Sequence, residues 1–182
     1  MDRTKCDLKR IEQGLRKYEE ICNLFDSMDD VSNNKEFQTK FDGFYRVRRN
    51  QEWRDYYFKL MQKNKNNEKV SFNDIISSIY NITGRVEASF SSKLVSMINR
   101  NLPIWDQYVL QNLNIKPIQQ SLDNLERVKK SVLIYERIID WYKMYLLSNN
   151  GQDDIKFFDL HFPQYTYLSD IKKIDFLLWS IR

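Results

Sequence analysis

Apolar residues recur along this chain at helical intervals. Leu8, Ile11, Leu15, Tyr18, Cys22 and Phe25 are separated by steps of three and four, which lines them along one face of an α-helix. After a polar break at Asp30 to Asn34, Phe37, Phe41 and Phe44 or Tyr45 start a second helical segment, which Gly43 is expected to bend or end. Trp53, Tyr57, Leu60 and Met61 mark a third, and the polar stretch at 63–69 reads as an exposed loop. Ser71 followed by Asp74 has the form of a helix N-cap, and Ile75, Ile76, Ile79 and Tyr80 supply that helix with a buried face.

Val86, Phe90, Leu94 and Met97 form the next stripe, interrupted at Asn99 to Pro103 before a short helix with Val109, Leu110 and Leu113. Pro117 predicts another break, because it has no N–H to donate and disfavours helix at Lys116. The longest periodic run follows: Leu122, Leu125, Val128, Val132, Tyr135, Ile138 or Ile139, Tyr142, Tyr145 and Leu146. Asn149 to Asp154 are expected as a loop around Gly151, and the aromatic 155–168 stretch as irregular. Ser169 caps a last helix carrying Ile171, Ile174, Leu177 and Leu178, which with Trp179 should dock on the body. The pattern predicts seven or eight helices with no repeat or long linker, an all-α multi-helix fold.

Composition sharpens the picture. The 182 residues include only four Gly and three Pro, too few for the frequent reversals of a sandwich or barrel. Sixteen Asn and seventeen Ile beside a single Ala (Ala88) carry the mark of AT-rich codons, so the helical reading rests on the periodicity and not on the scarcity of glycine. Gly14, Gly43, Gly84 and Gly151 are too far apart to build a phosphate-cradling loop, which excludes the nucleotide-binding α/β enzymes. No apolar run reaches the roughly 18–20 residues of a membrane span, and the first ten residues have no apolar stretch. The chain is therefore expected to be soluble and cytoplasmic, without a membrane partner. Cys6 and Cys22 read as small apolar fillers, too few for a disulfide framework. With His161 as the only histidine, they make no zinc site without carboxylates, and neither metal nor cofactor is expected.

The most informative stretch is 82–113. Ile82-Thr83-Gly84 precedes a helical segment, and Trp105-Asp106-Gln107-Tyr108-Val109 follows the Leu102-Pro103-Ile104 bend, with Asp106 22 positions after Gly84. In order and spacing this stretch resembles the core of the helix-hairpin-helix DNA glycosylases, the endonuclease III-like superfamily. There a turn of the type L-P-G-V-G enters a helix, and a catalytic Asp in a stretch of the type V-D-T-H-V opens the next. Leu113-Asn114-Ile115 falls where the family often shows R-L-G-L. The resemblance covers about 32 of the 182 residues.

It implies a helix-hairpin-helix fold, DNA as partner, Gly84 and Arg85 at the DNA-facing turn, and Asp106 as the catalytic carboxylate. The departures are informative as well. Val86 stands at the second hairpin glycine, a position of positive φ that a β-branched residue resists. Ala88 stands where bifunctional members carry a Schiff-base lysine, so no lyase activity is expected through it, and no cysteine cluster exists for an iron–sulfur centre.

The chemistry makes definite demands. Breaking a base–sugar bond develops positive charge on the sugar, which a nearby carboxylate stabilises, or relieves by activating water. The base must leave the stack for a pocket with aromatic walls. Asp106 at a helix N-terminus would be kept ionised there, with Trp105 and Tyr108 beside it to line the pocket. The plainer reading of Asp106 is an N-cap, and the two are compatible.

A second feature is the stretch 43–60, where Arg46, Arg48, Arg49 and Arg54 are interleaved with Tyr45, Trp53, Tyr56, Tyr57 and Phe58. Arginines on phosphates and aromatics on bases would make it a nucleic-acid surface. Alternatively, Trp53, Tyr57 and Leu60 enter the core and the arginines stay solvated. The net charge of +4 permits either. His161 near Asp159 could form a general-base pair or simply pack, and Glu87 could pair with Arg85 or Lys93.

The expected architecture is one compact helical unit over 1–182. By analogy with the family it has lobes at 70–148 and at 1–69 plus 149–182. The leading functional expectation is a monofunctional DNA glycosylase acting through Asp106. The alternatives are a non-catalytic helical module that binds nucleic acid, or a protein adaptor with an exposed apolar patch.

Overall fold

The computed structural model describes residues 1–67, 69–116, 118 and 122–181. Among the described residues the chain forms nine α-helices and no strand, so the fold is all-α. They are α1 (Leu8–Ser27), α2 (Lys35–Tyr45), α3 (Gln51–Asn64), α4 (Phe72–Thr83), α5 (Ala88–Ile98), α6 (Gln107–Asn112), α7 (Asn124–Leu147), α8 (Asn149–His161) and α9 (Asp170–Ser180). The expected break at Pro117 lies outside the described residues, as does Glu68 of the 63–69 stretch.

Most of these helices begin on a polar side chain that accepts a backbone N–H, which satisfies donors the first turn leaves without a partner. Asp7, Asn34, Asn50, Ser71, Asp106, Asp123, Ser148 and Ser169 do so for α1, α2, α3, α4, α6, α7, α8 and α9 respectively. Only α5 lacks such a cap, because Glu87 points its carboxylate elsewhere. Gly84 ends α4 in the left-handed conformation at φ +67°, and α4 and α5 pack together across the short turn that follows. Val86 does not take up the positive φ of a second hairpin glycine: among the described residues only Arg46 and Asn114 do so without being glycine.

Two expectations about glycines are corrected. Gly43 does not end α2. It lies inside the helix facing open space, and Arg46 at φ 54° provides the stop. The loop expected at 149–154 and the irregular stretch expected at 155–168 are instead largely one helix, α8, which begins directly after α7 with Ser148 as the joint. Gly151 is there for lack of space: a Cβ would sit 2.0 Å from the Tyr145 carbonyl oxygen.

The last helix is the centre of the molecule. Eight of the eleven residues of α9 are buried, and it touches α1, α6, α7 and α8. Around it one continuous hydrophobic cluster draws side chains from every helix, including the aromatic set Phe37, Phe41, Tyr45, Tyr57 and Phe58.

An aromatic cavity beside Asp106 as the candidate functional site

The segment between α5 and α6 is held at three successive residues. Tyr135 donates its hydroxyl to the Pro103 carbonyl at 2.8 Å, Ile104 N–H reaches Asp175 Oδ1 at 3.5 Å, and Trp105 N–H donates to Ser92 Oγ at 2.9 Å. Trp105 is thereby buried, its ring parallel to that of Phe72. Asp106 follows at the start of α6, where Oδ1 accepts the Tyr108 N–H at 2.9 Å. The N-cap reading of Asp106 is therefore correct, and it uses one of the two carboxylate oxygens.

Beside this segment lies a cavity of about 520 Å³. Asp106, Trp105 and Tyr108 form one side of it, and Tyr45, Phe90 and Lys93 another. Arg46 is exposed and also lines it, which puts a guanidinium at the rim. Lys172, Asp175, Phe176 and Trp179 of α9 complete the wall. The size is that of a small-molecule site, for which roughly 300–1,000 Å³ is usual.

Charge in this cavity is distributed unevenly. Lys172 is saturated: its ammonium donates to Ser96 Oγ at 2.5 Å, to the Leu102 carbonyl at 2.9 Å and to Asp175 Oδ2 at 2.7 Å. Asp175 also accepts the Tyr142 hydroxyl at 2.5 Å. Burial pushes the Asp175 carboxyl above the usual carboxylate range, while Lys172 and Tyr142 pull it back. Lys93 is different. Its ammonium lies over the rings of Phe90 and Tyr45, 5.0 and 5.6 Å from their centroids, and its nearest hydrogen-bond acceptor is the Tyr45 carbonyl at 3.5 Å. Burial lowers its pKa below that of an ordinary lysine, with Asp106 and Glu87 opposing the shift. The Tyr45 hydroxyl is buried without a hydrogen-bond partner.

Comparison with known protein families, curated proteins and solved structures finds no match.

The residues singled out in the sequence divide in two. Asp106, Trp105, Tyr108 and Arg46 come together at the cavity. Gly84 and Arg85 are exposed on the α4–α5 turn and do not line it. Arg48 is exposed elsewhere. Arg49 makes a two-pronged pair with Glu87 at 2.8 and 3.0 Å while lying over Phe90, so Glu87 pairs with neither Arg85 nor Lys93. Arg54 contacts Asp42 at 2.6 Å, and burial still lifts the Asp42 carboxyl to about 6 against that attraction. Trp53, Tyr57 and Phe58 are in the core.

No Asp–His pair forms. His161 is exposed, its Nδ1 meets the Phe157 carbonyl at 2.8 Å, and Asp159 is engaged by Lys173 at 2.8 Å. Lys93, Lys172 and Asp175 were missed by motif and spacing. Two of them carry a signal, a charge beside a run of uncharged residues: Lys93 within Ser-Phe-Ser-Ser-Lys-Leu-Val-Ser-Met, and Asp175 ahead of Phe-Leu-Leu-Trp; Lys172, within Asp-Ile-Lys-Lys-Ile-Asp, carries none.

Among the described residues no helix is long and apolar enough to cross a membrane, and no cluster of three metal-ligating side chains is found.

Proposed function

We propose that this protein takes an extruded DNA base into the cavity and hydrolyses its bond to the sugar, as a monofunctional, DNA-repair-like glycosylase of the helix-hairpin-helix kind. The observation that carries the reading is the position of Asp106, whose carboxylate lines a cavity walled by Trp105, Tyr108 and Phe90 and keeps Oδ2 clear of its capping bond. A carboxylate there can stabilise the positive charge that develops on the sugar or take a proton from the attacking water. Aromatic walls receive the flat base once it has left the stack. Arg46, which lines the cavity and is exposed, would meet a phosphate there, where a planar guanidinium binds two oxygens.

The non-catalytic module has the α4–α5 turn in its favour. Val86 occupies the hairpin position without the freedom of glycine.

The two readings separate on duplex oligonucleotides each carrying one damaged base, treated with the wild type or with Asp106→Asn. Asparagine preserves the cap, so the fold is retained. At least one duplex should acquire an abasic site with the wild type, at a rate about a hundredfold or more above that of the variant. Equal cleavage by both proteins, or cleavage by neither, overturns the glycosylase reading. Binding that weakens with salt and leads to no cleavage is the outcome expected of the module.

A further inference from the structure

We propose that Lys93 reads the occupant of the cavity, donating to an oxygen on the ring edge, so that the site takes oxo-substituted bases in preference to amino-substituted or cationic ones. Among the described residues three lysines are buried, and they are not equivalent. Lys172 has three acceptors within 2.9 Å, and Lys173 has Asp159 at 2.8 Å and Asp170 at 3.5 Å. Lys93, only 8% exposed, has no carboxylate within ion-pair distance among the described residues. Its one acceptor is a carbonyl at the outer limit of a hydrogen bond, and its ring contacts with Phe90 and Tyr45 supply no oxygen to its other N–H donors.

An ammonium offers three donors and accepts nothing, so what it lacks is an oxygen or nitrogen lone pair. A buried donor left without one is destabilising, and more so when charged. Tyr45, another lining residue, also has its hydroxyl buried without a partner.

The remaining walls define the rest of the ligand. Phe90 and Trp105 favour a flat ring, and Lys93 with Arg46 at the rim disfavours a cationic one. A ring-edge carbonyl meets the ammonium with a lone pair, whereas an exocyclic amino group meets it donor against donor. The inference rests on the reading that the cavity receives a base, but it concerns recognition and not bond cleavage.

Hypoxanthine and adenine test it directly, because they share one shape and differ only along one edge: hypoxanthine has a carbonyl at position 6 and an N–H at position 1, adenine an amino group at position 6 and a lone pair at position 1. Each free base is titrated into the full chain and binding is read by calorimetry, with quenching of Trp105 and Trp179 as a second signal. The wild type should bind hypoxanthine about tenfold or more tightly than adenine. Lys93→Met, checked for native helicity by circular dichroism, should bring the two affinities together by weakening hypoxanthine alone. Lys93→Gln, which keeps a neutral donor, should retain part of the preference. Equal affinities in the wild type, a preference unchanged in Lys93→Met, or binding of neither base overturns the inference.

The outcomes also separate this inference from the reading on which it rests. Asp106→Asn should keep the hypoxanthine preference while losing cleavage. Preferential binding with no duplex cleaved by the wild type leaves the role of Lys93 standing and removes the glycosylase. Cleavage without the preference does the reverse.

Discussion

A Cβ added at Gly151 would lie 2.0 Å from the Tyr145 carbonyl oxygen and 2.8 Å from its carbon, distances that only a backbone shift could relieve. The cause is the abrupt joint at Ser148, whose hydroxyl donates to that same carbonyl at 2.7 Å and accepts the Gly151 N–H at 3.1 Å. Gly43 is the opposite case, a helical glycine with nothing within 4 Å of where a Cβ would go. Gly151→Ala should therefore lower stability by at least about 2 kcal/mol. Gly43→Ala should raise it by up to about 1 kcal/mol, since alanine is the better helix former and restricts the unfolded chain. Thermal unfolding of the two variants reads the contrast as shifts of opposite sign. Loss of stability at Gly43, or tolerance at Gly151, would show that the glycines have the wrong roles here.

Within α9 the Lys172–Asp175 pair is enclosed by Tyr142, Ser96 and the 102–104 backbone, and it holds the segment that leads to Asp106. Lys172→Met leaves a buried carboxylate facing only Tyr142 and a backbone N–H, and should cost about 3–5 kcal/mol. Adding Asp175→Leu removes the stranded charge, so the double variant should recover much of that loss in chemical denaturation. Losses that simply add would mean the two groups do not act as a pair.

Helices such as this one were legible because a stripe of apolar residues at steps of three and four needs no tertiary context. The stripe in α9 was read correctly, but it did not reveal that the opposite face is buried too. Spacing identifies which residues face inward on a surface helix, whereas a helix enclosed on all sides also buries its charges. That is why Lys172, Asp175 and Lys93 escaped while Asp106, carried by its place after the Leu-Pro-Ile bend, did not. The region 149–168 was misread for a different reason. Asn, Gly and a crowd of aromatics look like a loop unless the glycine is known to be a point of close approach.

At the scale of the molecule, the cavity is assembled from three distant stretches of chain: 18–46, 89–110 and 172–179. The lobes expected at 70–148 and at 1–69 plus 149–182 would meet along this line, and the hydrophobic cluster crosses it without a gap. Lys172 on one side bonds Ser96 and Leu102 on the other, and Asn112 of α6 donates to the Leu178 carbonyl at 3.1 Å. Segments joined through a shared core and buried hydrogen bonds lose both when either opens, so the chain should unfold in one step. The four tryptophans sample the whole structure: Trp53 in α3, Trp105 before α6, Trp141 in α7 and Trp179 in α9. Their fluorescence should therefore change at the same denaturant concentration as the helical circular dichroism signal, and calorimetric and van't Hoff enthalpies should agree. Two separated transitions would mean that the lobes fold independently, leaving the cavity between them to open and close without disturbing either.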